Sequence, residues 1–286
     1  MTHAQAVLGM VVGALMWSIG GVTSRHFQTS EGFEVTFWRS LFAALTVAVW
    51  LLWRGGTERW RLLLTEGKTV WLSGLMWAVM FTCFMFALSL TRVANVLITQ
   101  SLAPVFTALL AGVVLRKPVS ARTWWAVTAA ALGIAFMYAF EVSAMEGRHW
   151  LGVLVALGIP IAGAINWIIV QHAGRSIDLS TGVLIGGAIS ALCTLPLAWP
   201  LGVSSHDLVL LMVLGVFQLG IPCILVMHVA RYLSAAQTSL LALLEVVFGI
   251  VLTWAFGGEQ PGLPTLVGGV VVLAALVYHE RQPQTA

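Results

Sequence analysis

Glu245 is the side chain in this sequence with the most chemistry open to it. It interrupts the run LLALLEVVFGIVLTW, which holds no other ionisable residue. An ionised carboxylate in such surroundings is costly unless something compensates it. Three roles are therefore open: holding a substrate amine, titrating so as to couple a process to protons, or bridging two helices as a protonated acid. Arg39 is the second such residue, about five positions into the apolar stretch 34–53. A structural role is expected for it, with the guanidinium snorkelling to the surface or pairing with Glu31 or Glu34. Pro104, Pro160 and Pro222 also fall inside apolar runs. Each removes a backbone hydrogen bond where no water can replace it, which makes them hinges or static kinks.

The rest of the polar inventory excludes several classes of activity. The only aspartates, Asp178 and Asp207, lie near the ends of apolar runs. No paired-carboxylate cluster or HExxH pattern is present, so neither catalytic residues nor a metal site are expected. Gly20–Gly21 and Gly268–Gly269 lie within apolar runs, and no GxxxxGK[ST] loop occurs, so no nucleotide cofactor is expected. Cys83, Cys193 and Cys223 sit in apolar runs without metal-ligand spacing and read as small packing residues. A channel would need a continuous polar lining, and the intramembrane polar residues are too sparse for one.

The elements that hold these residues follow from composition. Hydrophobic residues make up 59% of the 286 and charged residues 9%, with a mean hydropathy of +0.96. Soluble domains carry roughly 25% charged residues, so this surface faces lipid. A net charge of +3 and a pI near 9.0 do not indicate a nucleic-acid partner, because the basic residues sit in short loops and form no basic face. A spanning helix needs about 20 apolar residues. Such runs occur near 5–25, 34–53, 69–90, 94–115, 121–140, 150–172, 178–200, 207–229, 234–256 and 263–279. They are too long and continuous for β-barrel strands, so the expected fold is an all-α membrane bundle of ten helices. Trp50, Trp53, Trp60, Trp71, Trp124, Trp150 and Trp199 lie near run ends, as an interfacial belt requires. With the N-terminus inside, Arg54, Arg59, Arg61, Lys68, Arg116, Lys117, Arg122, Arg175, Arg231 and Arg281 fall on the cytoplasmic side. Only Arg25, Arg92 and Arg148 fall opposite. This positive-inside bias predicts cytoplasmic N- and C-termini.

The chain also repeats itself. Residues 94–138, beginning ANVLITQSLAPVFTALL, match residues shifted by 142, beginning AQTSLLALLEVVFGIVL: a small polar start, a span, a Pro-containing turn and a span. A fainter echo pairs Leu8–Gly9 with Leu151–Gly152. A period of half the chain is a duplication, giving repeats at 1–143 and 144–286. Each holds five spans, and five is odd, so the second copy enters the membrane inverted. Inverted repeats around a site near the midplane are the architecture of many secondary transporters.

These halves resemble the drug/metabolite transporter superfamily, in its ten-helix EamA-type members. Each repeat of that family carries a Glu-Pro-bearing helix and an acid about thirteen positions later. Here the first repeat has Ala103–Pro104 and then Lys117, and the second has Glu245–Val246 and then Glu259. Arg39 also matches a family position. The resemblance covers the whole chain and is strongest to amino-acid and metabolite exporters of the bacterial inner membrane, in particular the aromatic amino acid exporter group. It implies alternating access and a central cavity lined by spans one, three, four, six, eight and nine. Trp17, Trp77, Phe81, Gln100, Asn166, Trp167, Gln218 and Glu245 are the substrate-binding residues expected on that basis. Gly9, Gly13, Trp17, Gly20 and Ser24 share a face of span one, and Trp77, Phe81, Phe84 and Leu88 share one of span three. Such faces are either cavity walls or packing seams. The expected partners are a small solute and membrane lipid. A cationic drug, a polyamine and a nucleotide sugar stay open as alternative solutes.

Overall fold

The computed structural model describes residues 1–24, 26–28, 32–55, 67–91, 93–114, 119–138, 149–174, 177–257 and 262–280. Arg25, Glu31, Arg59, Trp60, Arg61, Arg92, Arg116, Lys117, Arg148, Arg175, Glu259 and Arg281 lie outside them, as do the side chains of Ser24 and Leu88. Among the described residues the ordered structure is helical, with no strand.

Six runs are long and apolar enough to cross a membrane: Gly32–Gly55, Gly67–Ala87, Trp150–Ala173, Ser180–Ala198, Ser205–Tyr232 and Ala235–Phe256. Shorter apolar helices cover His3–Trp17, Ala103–Val114 and Leu266–His279. The outer surface matches that solvent: Val113, Leu192 and Val270 are each about two-thirds exposed or more. Of the tryptophans assigned to the interface, Trp53, Trp71, Trp150 and Trp199 are exposed.

Several helices are interrupted, and the breaks have local causes. The first begins under a capping box, Thr2 with Gln5, and ends at Trp17. Ser18, whose hydroxyl donates to the Leu15 carbonyl at 2.6 Å, separates it from Ile19–Ser24. Val93–Gln100 stops just before Ala103–Val114, and His149–Ala156 just before Gly158–Ala173. Pro104 and Pro160 account for both breaks, since a proline clashes with the carbonyl four residues earlier, here those of Gln100 and Ala156. Pro222 follows a π-helical stretch, Leu214–Gly220, that widens the helix where the Gln218 carbonyl loses its partner. Ala235–Ala242 and Leu244–Gly257 are parted at Leu243 although Val246 stands where the first half has Pro104. Proline is thus one cause of these breaks and not the general one.

Packing runs mainly between the N-terminal and C-terminal halves, and it is largely reciprocal. Gly32–Gly55 lies along Ser180–Ala198, Ala121–Tyr138 along Leu263–Glu280, and Ala103–Val114 against Ala235–Ala242. Gly67–Leu90 packs on Ser180–Ala198 and Gly158–Ala173; its counterpart, Ser205–Val229, packs on Gly32–Gly55 and His3–Trp17. Ala103–Val114 also meets Gly158–Ala173, as Leu244–Gly257 meets His3–Trp17. Most of these pairings, though not all, recur when the halves are exchanged.

Lipid gives apolar side chains no reason to prefer one another, so these seams depend on close backbone approach. A Cβ on Gly186 would stand 2.8 Å from the Gly74 carbonyl and collide with Trp77; one on Gly215 would stand 2.9 Å from the Arg39 carbonyl and collide with Phe42. Buried hydroxyls add cross-half ties, Ser40 and Thr82 both donating to Ser190 at 3.1 Å. Helix Gly32–Gly55 is further held at each end. The Glu34 carboxylate accepts from the Gly202 N–H at 2.8 Å, and Arg54 stands 4.0 Å from Asp178. Nearby, buried Asp207 accepts from the Gln28 N–H at 3.0 Å.

Gly186→Val is expected to lower the thermal midpoint in detergent, because overpacking a close seam costs about 1–3 kcal/mol. Gly112→Ala, at a position with no atom within 4 Å of an added Cβ, is expected to match or exceed the native midpoint. Equal midpoints for both variants would contradict the seam.

Candidate functional site

Helix interruptions place the polar side chains inside the bundle. Glu245 lies in the first turn of Leu244–Gly257, directly after the break at Leu243. Arg39 lies in the second turn of Gly32–Gly55 and is 8% exposed. It does not reach the surface, and Glu34, one of its expected partners, is engaged with Gly202. Instead Arg39 lies within electrostatic reach of Glu245 and of the Cys223 thiol. The two charged groups come from opposite halves and attract across the bundle, yet among the described residues they form no contact ion pair. The guanidinium sits 5.8 Å over the Phe84 ring, and its Nε is buried without a partner in the protein.

Trp17 and Gln218 complete this polar group. The Gln218 amide donates to the Trp17 carbonyl at 3.0 Å, at the end of the first helix where the next turn no longer takes that oxygen. The Gln218 side chain lies over Gly20, where an added Cβ would stand 3.2 Å from Nε2. Its Oε1 has no partner within the protein. The Cys223 thiol lies beside the Trp17 indole.

A second group gathers the aromatic residues. Trp77 and Phe81 have ring centroids 5.4 Å apart, and Trp167 meets Trp77 edge-on at 6.2 Å. All three are buried. Asn166, next to Trp167, accepts from the Ser73 hydroxyl at 2.7 Å, while its Nδ2 and the Trp77 Nε1 are buried and unpartnered. Phe84, one turn beyond Phe81, joins this group to Arg39 through the ring contact above. Gln100 ends its helix at the break before Pro104, with Oε1 buried and unpartnered.

Not every position on the expected faces lies at this centre. Gly9 and Gly13 meet Val229 and Val226, so that part of span one is a packing seam. A Cβ on Gly163 would stand 3.4 Å from the Met80 sulfur, in ordinary contact. The Phe84 contact to Arg39, and the place of Cys223 beside both charges, were not anticipated. Pro222, adjacent to Cys223 and one turn beyond Gln218, was the available signal, since a helix disturbed at a polar residue re-aims its neighbours.

This arrangement is suited to binding rather than to bond-making. It joins one cation, one carboxyl, unpaired donors (Arg39 Nε, Asn166 Nδ2, Trp77 Nε1) and an unpaired acceptor (Gln218 Oε1) beside three buried rings; among the described residues no contact brings Gln100 to this group. Leaving a buried polar group unpaired costs about 1–3 kcal/mol, and mostly apolar sites with a few placed polar groups are the usual form of small-molecule pockets. Among the described residues no group of three or more His, Cys, Asp or Glu could hold a metal ion.

Known proteins agree with a transport role. The S-adenosylmethionine uptake transporter of Rickettsia prowazekii is 22% identical, over 100% of this chain and 96% of its own. The pseudopaline exporter of Pseudomonas aeruginosa is 24% identical, over 96% and 95%. Human solute carrier family 35 member G1 is 22% identical, over 93% and 76%. A protein of known crystal structure superposes with a TM-score of 0.81 over 98% of this chain and 97% of its own, at 16% identity, which shows a shared fold. The sequence model of the EamA-like transporter family matches residues 4–139 and 150–278. With apolar helices long enough to cross the bilayer several times and a family match over most of its length, this chain belongs to the EamA-like transporter family and is a multi-pass membrane transporter.

Proposed function

We propose that this transporter exports amino acids, neutral or aromatic, or related zwitterionic metabolites from a bacterial cell, by alternating access across the inner membrane. The observation that carries the reading is the opposition of Arg39 and Glu245 inside the bundle without direct contact. An amino acid presents a carboxylate and an ammonium group on one carbon, the complement of a guanidinium facing a carboxylate. Trp77, Phe81 and Trp167 offer a wall for an apolar side chain beyond that headgroup, and Asn166 and Gln218 offer neutral hydrogen bonds. Polyamines and other dications fit less well, because Arg39 repels them.

Ten spans in two inverted repeats, 1–143 and 144–286, with both termini cytoplasmic, make up the architecture of this proposal. The largely reciprocal packing supports it, since a pattern that mostly survives exchange of the halves is what two related repeats produce. Glu245 and Arg39 then come from different repeats, so their separation changes when one repeat rocks against the other, with the breaks near Pro104, Pro160 and Pro222 as hinges. One relative is named for uptake and another for export. Direction here follows the gradient, which for a metabolite accumulated in the cytoplasm is outward.

Proteoliposomes preloaded with phenylalanine, leucine or S-adenosylmethionine are expected to take up the labelled compound by counterflow, well above empty vesicles. If no member of an amino-acid panel moves, and none raises the thermal midpoint, the substrate class is wrong. Arg39→Gln and Glu245→Gln are each expected to lower transport about tenfold or more. That corresponds to losing a charged hydrogen bond of about 1.5–3 kcal/mol. Native rates in both, with normal folded yield, would remove the pair from the site. A rate–pH profile that flattens in Glu245→Gln would assign proton coupling to that carboxyl; an unchanged profile would withdraw it.

A further inference from the structure

Away from the polar centre, Ala121–Tyr138 and Leu263–Glu280 run antiparallel and pack along their length. Gly133 sits so close to the second helix that an added Cβ would stand 3.0 Å from the Gly268 carbonyl. Where the first helix begins and the second ends, Thr123 Oγ1 lies 3.3 Å from His279 Nε2 and 2.9 Å from the Ser120 hydroxyl. Beside these contacts the pair forms an open surface trough of about 360 Å³, lined by Trp125, Ala126, Ala129, Ala275 and Tyr278. Three alanines make its floor and two rings its walls, Trp125 72% and Tyr278 55% exposed. The volume falls in the range of small-molecule sites, roughly 300–1,000 Å³.

One cation stands at this trough. The Arg122 guanidinium lies 5.3 Å over the Tyr278 ring, and its Nε is buried with no partner among the described residues. In sequence, Arg116 and Lys117 precede this helix pair, and Glu280 and Arg281 close it. Exposed Trp and Tyr mark the headgroup level of a bilayer, and an apolar trough running inward from that level faces acyl chains. A guanidinium there matches a phosphate better than a neutral or cationic headgroup. Basic pockets between transmembrane helices are a recurrent form of anionic-lipid recognition.

We propose that this trough holds one anionic phospholipid, with its phosphodiester on Arg122 and an acyl chain along Ala126, Ala129 and Ala275 between Trp125 and Tyr278. The site shares no residue with the Arg39–Glu245 centre and stands whether or not amino acids are the solute. Native mass spectrometry of the purified full chain tests it, with phosphatidylglycerol or phosphatidylcholine added in the same detergent. One equivalent of phosphatidylglycerol is expected to bind, at least fivefold more tightly than phosphatidylcholine, and to raise the thermal midpoint. Arg122→Gln removes that preference and Arg122→Lys keeps part of it. Ala129→Phe fills the trough and removes the adduct while the folded yield is unchanged. In the native chain, phosphatidylglycerol brominated on its acyl chain quenches a share of the fluorescence that Trp125→Phe loses, a readout that needs no Arg122 variant. Equal binding of the two lipids overturns the proposal, as does native-like binding in both Arg122→Gln and Ala129→Phe. A face covered by a second copy, seen as a dimer that Ala129→Phe dissociates and that takes up no lipid, overturns it as well.

Discussion

The constraint from which the structure follows is that helices in lipid gain little by hiding apolar side chains from one another. Association must come from dispersion contacts at close range and from interhelical hydrogen bonds, and both need backbones brought together. Gly186 against Gly74 and Trp77, and Gly215 against Arg39 and Phe42, are where this chain meets that need. Both seams join the N-terminal half to the C-terminal half. Neither half could bury its small-residue faces alone, so the bundle is a single interlocked unit. The hydroxyls of Ser40, Thr82 and Ser190 occupy the same seam, where a hydrogen bond competes with nothing but hydrocarbon.

A second consequence concerns the backbone. Every helix break inside a bilayer frees carbonyls and N–H groups that lipid cannot satisfy, so breaks are tolerable only where protein or a cavity lies alongside. The breaks at Ser18, Ser101–Leu102, Leu157 and Leu243 fall in helices that pack on one another near the centre. Trp17 shows how such a group is recovered: its carbonyl is taken by the Gln218 amide from the opposite half. The polar centre is thus built partly from the repair of interrupted helices, and Gln100 and Glu245 each sit within a few residues of a break.

The ends of Gly32–Gly55 are held unequally. At the Gly32 end Glu34 accepts from the Gly202 N–H, and nearby the wholly buried Asp207 accepts the Gln28 N–H with both oxygens. Arg54 and Asp178 stand 4.0 Å apart with the arginine side chain 44% exposed, a kind of pair that contributes about 0–1 kcal/mol. The weaker of these ties is at the Arg54 end. The two bacterial relatives at 22% and 24% identity match over nearly their whole length. The fold therefore tolerates wide substitution, as expected if small residues at close seams and breaks near the centre matter more than the identity of lipid-facing side chains.

Much of this was legible in the sequence because it is local. Runs of apolar residues at 34–53, 69–90, 150–172, 178–200, 207–229 and 234–256 fall on the helices long enough to cross a bilayer, since length and apolarity decide that without reference to neighbours. Pro104 and Pro160 mark breaks for the same reason. The membrane setting was also readable directly, from length and apolarity. What the tertiary structure decided is partnership. Arg39 and Glu34 lie near each other in sequence, which made them natural partners, but Glu34 is taken by the Gly202 N–H, while Arg39 sits over the Phe84 ring and within electrostatic reach of Glu245, 206 positions along the chain. Gly9 and Gly13 could have lined a cavity or a seam, and only the presence of Val229 and Val226 made them a seam. Spacing along one helix says which residues share a face; what that face meets depends on a helix from the other half, and no local pattern carries that information.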